Sequence, residues 1–440
     1  MTCGTLEDSI LACRSSLAAF HEEAVIVSLG GNDTTDMLLQ NLPELPSARI
    51  VHLPVPQLPE LTLNGIYGEL SMEKAEWKSH IKDQLKEILR YRPEAVFADN
   101  AMFSLYPMIG TFISGTTASG LYEARLGREE MGKENHVFAP AYKEADMKEL
   151  VKICDHIVFN SFRQYEKYKE LCKQSAQIRE DGKPVSVGIR VNPECSTQEG
   201  HEIYDPCGPG SRLGVTKAEF REDLLEGVEG LHFHTLCEQD ADDLVITFRA
   251  FEAKFGKYLK KMKWLNLGGG HHITRPGYQL KQLKQLIAYI RATYQVEVYL
   301  EPGEAIALNA GYLVTEVQDI VKNGMEILIL DASAACHMPD VLEMPYRPPL
   351  RGGYEPGEKT YTYRLSSMTC LAGDVIGDYS FEHPVAIGDR LVFEDMAIYS
   401  MVKNNTFNGM PLPGIALLKE DGTVEMIKTF GYEDFKERLS

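Results

Sequence analysis

From residue 95 onward the chain alternates short apolar runs with longer stretches whose apolar positions recur every three or four residues. Ala95–Ala98, His136–Phe138, His156–Phe159, Val185–Val191 and Val296–Leu300 are the apolar runs, rich in Val, Ile and Phe. Near-continuous runs of that length are the mark of strands covered on both faces. Leu121–Met131 and Ala241–Lys261 carry the helical period instead. Strand followed by helix, repeated this often, predicts a parallel α/β barrel over residues 95–330, with Ile327–Leu330 as its last apolar run.

After Asp331 the texture changes. Prolines 339, 345, 348 and 349 break the helical period, and Tyr361–Leu365, Arg390–Phe393 and Ile415–Lys419 read as short β elements joined by turns. This predicts a C-terminal all-β domain over residues 331–440. Residues 1–94 form a third, atypical α/β segment. Leu6–Phe20, Thr34–Leu42 and Met72–Arg90 read as helices there, with Ala24–Leu29 and Arg49–Leu53 as strands. The loop Gly30-Gly31-Asn32-Asp33 has the look of an acyl-hydrolase block. No matching serine or Asp/His pair accompanies it, so it reads as a turn.

Length and composition narrow the classes. A chain of 440 residues is long enough for two domains. A net charge of −19 argues against a general nucleic-acid binder and is compatible with a cationic substrate. No apolar run reaches the length of a membrane span and no signal segment opens the chain. The nine cysteines lack paired metal-ligand spacing. The expectation is therefore reduced thiols in the cytoplasm, no metal, no membrane and no nucleic-acid partner.

The candidate chemistry gathers in Gly230–Gly270 and in Leu300–Glu304. Leu231-His232-Phe233-His234 ends one strand, Trp264-Leu265-Asn266-Leu267 runs into Gly268-Gly269-Gly270, and Val296–Leu300 runs into Glu301-Pro302-Gly303-Glu304. His234, the glycine triplet and Glu301 thus stand at the ends of three successive strands, which in an α/β barrel is the catalytic face. A glycine triplet there lets backbone N–H groups approach an anion.

Several long stretches, GTTASGLYEARLGREEMG, YDPCGPGSRLGV, GLHFHTLCEQ, LGGGHHITRP, LEPGEA, CHMPDVLEMPYRPPLRG, TCLAGDVIGDYSF and FEDMAIYSMVKNNTFNG, occur in the order found in one family. From about Met102 the chain resembles the carboxynorspermidine/carboxyspermidine decarboxylases. These are fold-type III pyridoxal-phosphate enzymes, grouped with ornithine and diaminopimelate decarboxylases and alanine racemase. The resemblance implies an alanine-racemase-like barrel followed by a β domain. It also implies a pyridoxal 5'-phosphate cofactor, a polyamine-like substrate and a homodimer. It gives His234 as the residue stacked on the cofactor ring and Glu301 as the partner of its pyridine nitrogen. Gly268, Gly269 and Gly270 match the phosphate loop, Arg190 an arginine beneath the cofactor, and Tyr399 a tyrosine near the phosphate. Cys370 matches a proton donor carried across the dimer interface, with Asp374 beside it in sequence. Glu304, Asp340 and Glu238 are the acids suited to substrate ammonium groups, with Glu343 a further candidate.

The chain departs from that family at one position. The family's Schiff-base lysine lies on the first barrel strand, which here reads Ala95-Val96-Phe97-Ala98-Asp99-Asn100-Ala101. Ala98 aligns with the missing amine. Lys86 upstream and Lys133 downstream are the nearest lysines in sequence. The alternative to an active decarboxylase is therefore an impaired or inactive cofactor-binding homologue, or an N-terminal fusion.

Overall fold

The computed structural model describes residues 23–28, 95–98, 103–198, 202–419 and 424–439. The expected helices Leu6–Phe20, Thr34–Leu42 and Met72–Arg90, the strand Arg49–Leu53 and the loop at Gly30 lie outside the described residues. The first strand, β1 (Glu23–Ser28), coincides with the expected run Ala24–Leu29 and joins the second sheet described below.

The barrel begins at β2 (Ala95–Ala98) and continues through β3 (Gly115–Ala118), β4 (Glu134–Ala139), β5 (His156–Phe159), β6 (Ser186–Arg190), β7 (Gly230–His232), β8 (Trp264–Asn266) and β9 (Glu297–Leu300). Every neighbouring pair is parallel, and the register of Ala95 with Tyr299 and Val96 with Leu300 closes the ring. The helix Ala241–Leu259 shows why the crossovers form. Asp240 and Asp243 make a reciprocal capping box at its start. Leu244, Phe248, Phe251, Phe255 and Leu259 then recur at three- and four-residue spacing and are buried. The expected helix Leu121–Met131 is α-helical to Leu126 and widens into a π-type turn over Gly127–Met131.

Inside the barrel, Trp264 fills the amino-terminal end. Its ring is bracketed by Gly188 and Gly230, where an added Cβ would lie 2.2 Å and 2.0 Å from the indole. Its Nε1–H donates to Ser186 Oγ at 2.9 Å, which satisfies the single polar atom of the ring. The glycines on β6 and β7 thus exist for this side chain. They set the depth of the floor beneath the site.

The expectation that Ile327–Leu330 continues the barrel is corrected. β10 (Gly311–Asn323) and β11 (Met325–Leu330) are antiparallel partners in a second, mixed sheet. β12 (Tyr361–Ser367), β13 (Val375–Phe381), β14 (Arg390–Glu394), β15 (Gly414–Lys419) and β16 (Val424–Lys428) complete it. An apolar run of four residues carries no record of which strand it will pair with, so the change of sheet is invisible in the period. β1 pairs parallel to β10 and antiparallel to β15, so an N-terminal strand supplies this sheet. Two compact units result, one carrying the barrel and ending at Ile306, the other carrying β1 and everything from Ala307. Among the described residues no helix is long and apolar enough to cross a membrane.

Candidate active site

The residues after β7 and β9 pack closely around the end of β8 because the turn that follows β8 is made of glycines. An added Cβ on Gly268 would lie 2.7 Å from His234 Cα, on Gly269 2.4 Å from the Glu301 carbonyl, and on Gly270 2.1 Å from the Leu236 carbonyl. Gly268 and Gly270 also have positive φ, +74° and +76°. The triplet is therefore a joint that draws His234 and Glu301 together. Two of its N–H groups face inward: Gly268 donates to Asn266 Oδ1 at 2.8 Å and Gly269 to His234 Nδ1 at 3.2 Å. The Gly270 N–H makes no hydrogen bond among the described residues.

His234 is held by both ring nitrogens. Nδ1 accepts from Gly269, so the proton sits on Nε2, which donates to the Leu236 carbonyl at 3.0 Å. Burial, helped by Arg190 and His232, pushes its pKa down to about 3, so the ring is neutral. With both edges tied, the free surfaces of the imidazole are its faces.

Glu301 is enclosed by donors. Asn266 Nδ2 donates to Oε1 at 2.7 Å, Thr117 Oγ1 donates to the same oxygen at 3.1 Å, and His232 Nε2 stands 3.4 Å from Oε2. Burial alone would raise this carboxyl, but the polar groups around it, His232 first and the Asn266 amide with it, outweigh that and hold the group well below the usual carboxylate range. An ionised carboxylate thus persists inside the barrel. Arg190, at the end of β6, is 5% exposed, lies 4.5 Å over the Phe138 ring and donates to the His234 carbonyl at 3.3 Å. Burial lowers its pKa to about 10, with Cys207 and Glu301 acting against that shift, so it stays protonated.

Glu304 and Glu238 lie on the same face. Glu304 Oε2 is 3.4 Å from His272 Nε2, and Glu238 is exposed with an unusual positive φ of 56°. His272 is 5% exposed. The remaining candidates belong to the sheet unit. Cys370 is exposed, and its N–H donates to Asn408 Oδ1 at 2.9 Å. Asp374 is buried and accepts from Ser333 and Ser367 hydroxyls, each at 2.6 Å, from Thr369 Oγ1, and from the Ala335 N–H at 3.1 Å. Tyr399 is 42% exposed. Asp340 is bound by Lys403 Nζ, which also reaches Glu343 at 3.4 Å.

Sequence reasoning missed Thr117, Asn266 and His232. Asn266 and His232 each close their strand two residues before a recognised position, which was a usable signal. Thr117 carries no such mark, because its partner is 184 residues away.

These groups suit a phosphorylated pyridine aldehyde in two of its parts. The Glu301 carboxylate, 11% exposed, fits a protonated ring nitrogen, and the free face of His234 fits the ring. The first strand supplies no amine: β2 places Ala98 beside Thr116 of β3. Lys133 precedes β4 and is bonded to the carbonyls of Gly110 and Ile113.

The pyridoxal-dependent decarboxylase family, in the description that includes its C-terminal sheet domain, matches residues 96–397. Carboxyaminopropylagmatine decarboxylase of Synechocystis sp. is 42% identical, covering 77% of this chain and 86% of its own. Carboxynorspermidine/carboxyspermidine decarboxylase of Campylobacter jejuni is 41% identical over 75% of this chain and 87% of its own. The crystal structure of carboxynorspermidine decarboxylase from C. jejuni, complexed with norspermidine, superposes with a TM-score of 0.72 at 37% identity, covering 82% of this chain and 97% of that one. With the barrel, the sheet and relatives of this closeness over most of its length, the chain belongs to the pyridoxal-dependent decarboxylases.

Proposed function

We propose that this chain removes CO2 from carboxynorspermidine or carboxyspermidine, leaving norspermidine or spermidine, with pyridoxal 5'-phosphate held at the carboxyl face of the barrel. The observation that carries the reading is the Glu301 carboxylate, bonded at Oε1 by Asn266 and Thr117, set beside the edge-anchored His234. Glu301 keeps a proton on the ring nitrogen, His234 lies against the ring, and Arg190 supports it from β6. The glycine turn and Tyr399 take the phosphate. Once bound, the cofactor supplies an electron sink for the pair left behind as CO2 departs.

In the sheet unit, Cys370 delivers the proton to that carbon from its exposed loop. Asp374 closes this loop through Ser367 and Thr369, so it positions Cys370. Glu304 and Glu238 receive ammonium groups of the substrate. Asp340 joins them only by releasing Lys403, an alkylammonium already seated on it. The exposed Met368, Cys370 and Leu371 support a homodimer that covers this loop, and cytoplasmic polyamine synthesis is the setting we infer. Sedimentation of the purified protein tests the dimer; a monomer with full cofactor affinity speaks against it.

A second reading, carboxyaminopropylagmatine as substrate, is favoured by the name of the 42% identical relative. Mass spectrometry of the amine released from each of the three carboxylated compounds, using cofactor-supplemented protein, decides between them. Absence of any decarboxylated amine overturns the proposal.

A further inference from the structure

At the opposite, amino-terminal mouth of the barrel lies a second group of potential ligands. Glu134 opens β4 and His136 follows two residues later, so both side chains project to the same side of the strand. The register sets His136 beside His156 of β5. Glu134 Oε1 is 2.9 Å from His136 Nε2 and 3.6 Å from His156 Nε2, and one ligand atom from each residue falls within a 4.8 Å group. His136 is 2% exposed. The His156 side chain is nine-tenths buried, and its Nδ1 has no hydrogen-bond partner among the described residues.

We propose that Glu134, His136 and His156 bind one divalent transition cation of the zinc class, at a site separate from the decarboxylation face. Two imidazoles and one carboxylate, with water in the fourth position, are a common zinc donor set. Tetrahedral bonds of about 2.0–2.1 Å place ligand atoms about 3.4 Å apart. The present separations of 2.9 Å and 3.6 Å straddle that spacing.

The two rings now stack at 3.8 Å with 14° between planes, so binding tilts them toward a common point. Room and access come from a pocket of about 490 Å³ lined by Glu134, His156, Asp155 and Asp181. Arg128, Lys133, Arg179 and Lys183 line it too, and of these Arg128 is paired with Glu180 at 3.6 Å. Arg179, also at that pocket, is neutralised by Asp155 at 2.7 Å and Asp181 at 3.1 Å, and Lys133 is engaged by two carbonyls. Burial holds both imidazoles in the neutral, ligating form and raises Glu134, a penalty that a cation would relieve. Tyr299 of β9 donates to Glu134 Oε1 at 3.3 Å. The ion would thus tie β4 and β5 directly and β9 through that phenol, as a clamp on the barrel floor.

The test is equilibrium dialysis of chelator-stripped full-length protein against zinc chloride, with metal quantified by mass spectrometry. Wild type is compared with His156→Gln, Glu134→Gln and His272→Gln. The last alters a separate Glu238/His272/Glu304 group. The expected result is one zinc that both His156→Gln and Glu134→Gln bind at least about a hundredfold more weakly, since even second-shell losses cost 10–100-fold. His272→Gln retains it. Unchanged affinity and stoichiometry in His156→Gln and Glu134→Gln, or no zinc on wild type, overturns the proposal. Because either variant can misfold, crystals of wild type soaked in zinc give an independent readout. An anomalous peak beside Glu134 supports the site, and a peak only at the cofactor face, or none, refutes it.

Discussion

Replacing Glu301 by glutamine separates the electrostatic role of this residue from its structural one. Two of its three close partners, Asn266 Nδ2 and Thr117 Oγ1, bond the same oxygen, Oε1. A glutamine can present its carbonyl oxygen to both and keep them. Its NH2 then takes the place of Oε2, 3.4 Å from His232 Nε2, and a neutral His232 accepts by moving its proton to Nδ1. The folding cost is the difference between charged and neutral acceptors, about 1 kcal/mol. At the ring nitrogen no such exchange is available, because an amide does not hold a proton there as a carboxylate does. Losing a charged partner costs about 1.5–3 kcal/mol, roughly tenfold to more than a hundredfold in rate. Thermal unfolding of the cofactor-free protein, cofactor titration and single-turnover decarboxylation measure the three quantities separately. The expected pattern is a melting temperature within a few degrees of wild type, a modest loss of cofactor affinity and a much larger loss of rate. Equal losses in affinity and rate, or a collapse in stability, would make Glu301 an architectural residue and refute the reasoning.

Ala98→Lys should convert a dialysable cofactor into one trapped by borohydride on residue 98 and should raise turnover. A borohydride-stable adduct on a lysine of the unaltered chain would show that β2 is not the attachment strand. Glu304→Gln should raise KM for the carboxylated triamine by about tenfold or more while cofactor binding is unchanged; an unaltered KM removes Glu304 from substrate recognition. Gly230→Ala drives a methyl to 2.0 Å from the wedged Trp264 indole, and a cost of about 3 kcal/mol, about 6–12 °C in melting temperature, is expected by differential scanning fluorimetry. His136 and His234 are depressed to about 3 and His271 to about 4 in the folded barrel. Below the ordinary value near 6.5 the unfolded chain binds protons that the folded one refuses. Stability is therefore complete above pH 6.5 and falls by about 1.4 kcal/mol per pH unit for each such imidazole down toward pH 3–4. Urea midpoints that stay level between pH 7 and pH 5 would contradict this.

Much of the barrel is legible in the chain because its strands are buried on both faces. Ala95–Ala98 and His156–Phe159 are bounded in the structure as they are in the sequence. Burial on both faces leaves a local mark, a run with no polar interruption, and the capping box at Asp240 leaves another. His234, Gly268–Gly270 and Glu301 are legible for a similar reason, since each closes a strand and chemistry in a barrel sits at strand ends.

Pairing partners and hydrogen-bond economy are decided only in three dimensions. Met325–Leu330 has the composition of a barrel strand, yet β10 turns back at Gly324 and takes it into the other sheet. The glycine triplet announces an anion loop, but two of its N–H groups serve Asn266 and His234. Thr117 and His232 become partners of Glu301 through barrel closure, across 184 and 69 residues of chain respectively. Asp340 reads as a free acid and is held by Lys403, 63 residues on. The sequence determines which segments are apolar enough to be buried and which residue types stand at their ends, since both depend on local composition. Which of those groups meet, and what remains free to bind, depends on contacts between distant segments that no local period records.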